Sequence, residues 1–104
     1  MIVRTLDSAN GDIIAIARSI NRERNGWGDR FFNEYQRIAE LIERYPQLYS
    51  PVEDGLPPHE IRNAVFARFD YRLIYIVRPN EAVILAVTHT GRRPRHWHRR
   101  LDEL

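Results

Sequence analysis

Residues 88–100 concentrate the side chains that could do chemistry. They include five arginines (Arg92, Arg93, Arg95, Arg99, Arg100), three histidines (His89, His96, His98) and no acid. Arginine keeps its charge at any workable pH and grips phosphates or carboxylates with a planar fork. Three uses fit this segment: holding nucleic-acid phosphates, binding an acidic partner segment, or solvating a terminal helix. His89 is a candidate general base, or a strand-end histidine with its hydrogen bonds satisfied. His96 and His98 form an H-x-H pair, and His89 lies nearby. Such a trio could begin a zinc site, but with no cysteine in the chain and no acid in the segment, no metal is expected. Trp97 could stack on a base, although a tryptophan in a terminal amphipathic helix also fits core packing. Further upstream, Arg72 alternates with Tyr71 and Tyr75, so a strand there turns it to the opposite face. It is a candidate for contact with a partner or target, or for a cross-strand ion pair.

The whole composition narrows the chemistry further. All sixteen basic residues are arginine. Without lysine there is no Schiff base, lysine general base or lysine phosphate anchor; a genome rich in G and C would leave the same bias. Without cysteine there is no thiol nucleophile. The 104 residues fit one domain, with 43% hydrophobic residues to build a core. No apolar run approaches membrane-spanning length. Residues 1–12 lack a basic segment followed by an apolar stretch, so a cytoplasmic location without a membrane partner is expected. No cofactor is expected either.

The elements that must position these residues follow from the periodicity. Residues 1–6 read as a strand, with Asp7 and Ser8 as caps for the next element. Ile13, Ile14, Ala17 and Ile20 share a helical face, which predicts a helix over 8–24. The run Asn25-Gly26-Trp27-Gly28 breaks it, its two glycines supplying the turn. Asp29 can cap a second helix, whose stripe is Phe31, Tyr35, Ile38, Ile42 and Tyr45, widened by Phe32 and Leu41. Pro46 ends it. Residues 49–60 form a proline-rich loop. Strands are predicted over 61–68, 70–78 and 82–89, joined closely enough to make an antiparallel meander. Pro94 suits the first turn of a closing helix, with Trp97, Leu101 and Leu104 on one face. The expected class is α+β: a helical hairpin on one face of a small, mainly antiparallel sheet, in the order β-α-α-β-β-β with a short C-terminal helix.

Five patterns then stand in order. They are Arg37 to Leu48 closing the second helix, Ile61-Arg62 opening a strand, Tyr71-Arg72-Leu73-Ile74-Tyr75-Ile76-Val77, Val83 to His89, and Gly91-Arg92-Arg93-Pro94. Together they resemble the RelE/ParE superfamily of toxins from type II toxin–antitoxin systems, over nearly the whole chain. The resemblance implies one toxin domain over 1–104. It also implies a concave, exposed sheet face opposite the hairpin, and a cognate antitoxin that wraps the toxin. Such pairs are associated with growth inhibition and plasmid stabilization.

The superfamily divides by target. RelE-like members are ribosome-dependent ribonucleases that cut messenger RNA, with lysine and arginine on the middle strands and an arginine and a tyrosine near the C-terminus. ParE-like members inhibit DNA gyrase. Here Asn63 and Val65 stand where the lysines would be, Arg72 matches the strand arginine, and Trp97 stands near the tyrosine's place. An indole cannot titrate. The resemblance therefore favours the ParE-like branch, with gyrase as target. Arg62, Arg72, Arg92, Arg93, Arg95, Trp97 and Arg99 are the candidate contacts to target or antitoxin. The alternative is an endoribonuclease acting on the ribosome and messenger RNA through Arg72, His89, Arg92 and His96. A second alternative is a degenerate, non-toxic member that binds only antitoxin or DNA.

Overall fold

The computed structural model describes residues 1–53, 56–92 and 94–104, with 94–96 by backbone alone. Strand β1 (Ile2–Thr5) leads into helix α1 (Asp7–Glu23) and helix α2 (Trp27–Arg44). A short strand β2 (Ser50–Pro51) precedes the meander β3 (Glu60–Val65), β4 (Tyr71–Val77) and β5 (Glu81–His89). A closing 3-10 helix spans Pro94–Glu103. The sheet order is β1-β5-β4-β3-β2. Only β1 pairs in parallel, with β5; the other three pairs are antiparallel. The expected α+β class and hairpin are present, and β2 is an addition inside the predicted loop.

The hairpin is tighter than its sequence suggests. Gly26 takes a positive φ of 87° and alone supplies the turn. Trp27 already begins α2, and Asp29 lies in its first turn instead of capping it. Gly28 is a packing residue: a Cβ there would come within 2.6 Å of the Ala17 carbonyl oxygen. Asp7 and Ser8 are likewise not caps. Asp7 is inside the first turn of α1, and Ser8 donates to Glu103 of the closing helix at 2.9 Å.

One sheet face carries the hairpin. Phe31 stacks on Phe66, with centroids 4.7 Å apart, and meets Phe69 and Tyr71 edge-on. Ile38 and Ile42 are fully buried, while Tyr35 is half-buried and shares a 2.8 Å hydrogen bond with Thr5. Tyr75 is buried, and its hydroxyl donates to the Pro46 carbonyl at 2.7 Å. The apolar stripes extend beyond this contact, since Ile14, Phe32 and Tyr45 remain exposed.

The opposite face is not the open, concave surface that the resemblance implied. Ile74, Ile76, Val83 and Ala86 belong to it by register, and all are buried. The closing helix runs back along β5, so that Leu104 reaches a cavity shared with Ile76, Val77 and Pro58. Trp97 is fully buried and Leu101 packs on the core. In a 3-10 helix, residues three apart align; Arg100 therefore follows Trp97 inward while Leu104 stays partly exposed.

Candidate functional site

The end of β5 is a turn fixed by main-chain bonds. The Thr90 N–H donates to the Asp70 carbonyl at 2.9 Å, and the Arg92 N–H donates to the His89 carbonyl at 3.0 Å. The Gly91 N–H donates to His89 Nδ1, also at 3.0 Å. The His89 ring stands edge-on to Tyr71, with centroids 5.5 Å apart. Arg92 therefore projects from a well-held turn, and its side chain is exposed. Arg93 and the side chains of Arg95 and His96 lie outside the described residues.

Not all the arginines near this turn are available to a partner. Arg99 is exposed. Arg100 folds inward and grips both carboxylate oxygens of Asp12 on α1, while donating to the Leu85 carbonyl at 3.0 Å. Asp12 in turn accepts the Val87 N–H at 3.0 Å. Strand β1 stops opposite Ile84, and this pair satisfies the edge of β5 beyond it. The ion pair also holds the Arg100 guanidinium above its ordinary pKa, chiefly through the hydrogen bond to Asp12.

Register separates other candidates. Arg72 stands opposite Thr88, whereas His89 stands opposite Tyr71. Adjacent strand residues point to opposite faces, so Arg72 and His89 do not converge. Arg72 is half-buried, its Nε is shielded from solvent without a hydrogen-bond partner, and it forms no ion pair among the described residues. Arg62 is committed to structure. Its guanidinium donates to the Tyr49 carbonyl at 2.7 Å and to Glu60 at 2.8 Å, pinning the chain that leaves α2. Trp97 is sealed in the core, with the His98 ring edge-on at 4.3 Å.

The turn thus offers a cationic fork beside one histidine. With Nδ1 accepting from Gly91, a neutral His89 carries its proton on Nε2. In that tautomer Nε2 is a donor and the basic Nδ1 is engaged by the Gly91 N–H.

Two features escaped the sequence reading. The first is a groove between α1 and α2, where Ile14 and Phe32 are exposed and Arg18 and Asp29 flank them. Both apolar residues were visible as stripe members, but their exposure depends on the angle at which the hairpin meets the sheet. The second is an arginine cluster around Trp27 at the hairpin turn. The local signal was Arg24, Trp27 and Arg30 at intervals of three.

The family model described as the ParE toxin of type II toxin–antitoxin systems, parDE, matches residues 3–94. It ends where the closing helix begins. The solved structure titled "Chromosomal ParDE TA system from P. aeruginosa" superposes with a TM-score of 0.62 at 17% identity, covering 86% of this chain and 95% of that one. At that identity the likeness speaks for the fold alone. No curated protein matches the chain.

Proposed function

This chain belongs to the ParE family of type II toxins, and on that footing we propose that it arrests growth by inhibiting DNA gyrase unless a cognate antitoxin occupies it. The observation that carries the choice of target is the turn after β5. It presents Arg92 on a rigid main-chain scaffold beside a histidine whose Nδ1 is engaged. Cleavage through a 2′-hydroxyl needs a base, an acid and a cation around one phosphate. Arg72 and His89 instead stand on opposite faces of the sheet, and lysine is absent. A fixed guanidinium fork suits carboxylates or phosphates of a large nucleoprotein target, with no proton transfer required. The exposed Ile14 and Phe32 in the hairpin groove support an antitoxin partner, because apolar surface of this kind is ordinarily covered. A cytoplasmic location suits a gyrase inhibitor; among the described residues no helix is long and apolar enough to cross a membrane.

Expression of the chain alone should stop growth, and co-expression with the neighbouring antitoxin gene should restore it. Purified toxin should block supercoiling by gyrase and leave translated messages intact in primer extension. Replacing Arg92 and Arg93 together with alanine should abolish toxicity, and Arg92→Ala, at an exposed side chain, should change stability by no more than about 0.5 kcal/mol. Toxin-dependent message cuts that vanish in His89→Ala or Arg72→Ala would instead establish the ribonuclease. Normal growth with soluble, folded toxin would leave the degenerate binder.

A further inference from the structure

At the hairpin turn, well away from residues 88–100 in sequence, α2 and the β3–β4 connection enclose a cleft of about 460 Å³. Arg30 and Arg37 reach it from α2, seven residues apart and so on one helical face; Arg68 reaches it from the connection. One carboxylate lies among them. Glu34 is already engaged: it accepts the Ala67 N–H and faces Arg37 at 3.6 Å. The cleft therefore keeps an unbalanced positive charge. Its apolar part is Trp27 and Phe69, whose rings meet nearly edge-on at 6.2 Å. The Arg24 and Arg30 guanidiniums lie over the indole, 3.8 and 4.6 Å from its centroid. Stacking of this kind orients a planar guanidinium without consuming its N–H donors.

We propose that this cleft docks an acidic, extended peptide segment of a partner protein, with carboxylates on Arg30, Arg37 and Arg68 and an apolar side chain against Phe69, beside the guanidinium-covered Trp27. The proposal stands on the cleft alone and does not depend on the toxin reading. Bidentate arginine–carboxylate pairing supplies the charge recognition. Asn33, at the rim, offers both donor and acceptor to a peptide main chain. Nucleic acid fits less well. The indole is already engaged by two guanidiniums and Phe69, so it steadies the forks and is no free platform for a base. Three lining arginines are also few beside the roughly 6–10 phosphate contacts that give nucleic-acid binders their affinity. The volume suits a few side chains, whereas a duplex needs a broad surface.

The test uses the full chain and a short fluorescein-labelled peptide that alternates glutamate pairs with phenylalanine. Anisotropy should show saturable binding below about 1 mM. Arg30→Ala with Arg68→Ala should weaken it at least about tenfold. Arg22→Ala with Arg44→Ala removes equal charge from exposed helix positions and should change it less than about threefold. In the unmodified protein, titration should shift the Trp27 indole N–H resonance and leave that of Trp97 in place, which locates the site even if a variant folds poorly. Absence of saturable binding, equal losses in the two double variants, or an unmoved Trp27 resonance would overturn the proposal. So would tighter binding of a single-stranded oligonucleotide at the same cleft.

Discussion

The chain sets a tryptophan among arginines twice, at the hairpin turn and in the closing helix, and the two regions end in opposite states. Around Trp27 the arginines stay on the surface, with Arg24 and Arg30 over the ring. In the closing helix the tryptophan is fully buried and Arg100 is drawn inward with it. The difference lies in what each arginine finds. Arg100 meets the Asp12 carboxylate and an unpaired strand carbonyl, a partnership that repays much of the cost of leaving water. Arg30 has no salt bridge among the described residues, and a half-exposed indole holds it. Local arginine density therefore says little about the charge that a surface offers. A carboxylate distant in sequence decides it.

The largest expected contrast comes from the rings themselves. Trp97→Ala should destabilise the fold by about 3–5 kcal/mol, as truncation of a buried aromatic does. Trp27→Ala should cost about 1 kcal/mol or less. Urea unfolding of both variants measures the gap; equal losses would erase the distinction between the regions.

The next effect isolates the inward arginine. Asp12→Ala removes both the ion pair and the acceptor for the Val87 N–H, and should cost about 2–3 kcal/mol. Asp12→Asn keeps an acceptor and loses the charge, so it should cost roughly half as much. Thermal unfolding at neutral pH distinguishes them. No loss in either variant would mean that Arg100 is not what holds the closing helix.

The smallest effect concerns the core between the two regions. Burial raises the Tyr75 phenol from 10.0 to about 12. Below pH 10 the phenol is protonated in both folded and unfolded chains, and its stabilising contribution is complete. Above pH 10 the unfolded phenol ionises first, so stability falls as pH rises towards 12. By pH 11 the loss should be about 1 kcal/mol. Tyr75→Phe should lack this slope in denaturation series from pH 9 to 11. A slope of the same size in that variant would assign the alkaline loss elsewhere.

Much of this fold is legible in local pattern. The stripe Phe31, Ile38, Ile42 marks the buried face of α2, and the apolar runs after Asp70 and Glu81 mark β4 and β5. The covered second face was legible too. Residues 82–87 are apolar without a break, and a strand open to water on one side would alternate. The implied concave surface obscured that signal. Arg92 on its turn could be placed from Gly91 and the end of the strand. The fate of Arg62 and Arg100 could not. Each depends on partners supplied by another segment: Tyr49 for Arg62 and Asp12, 88 residues away, for Arg100. Trp27 misled because Gly28 resembles a turn residue, and only the close approach of Ala17 shows its packing role.

The Asp12 clasp also bears on motion. Val87 lies in the most buried strand of the sheet, yet its N–H is held by a side chain on α1 that Arg100 keeps in place. Hydrogen exchange follows the smallest opening that frees an amide. For the neighbouring β4–β5 rungs that opening is disruption of the sheet. For Val87 it is release of one side chain, Asp12, which Arg100 of the closing helix holds in place. The Val87 amide should therefore trade its proton with water faster than its β4–β5 neighbours, and faster still once Arg100 is removed, so that one clock in a slow strand is set by a distant side chain.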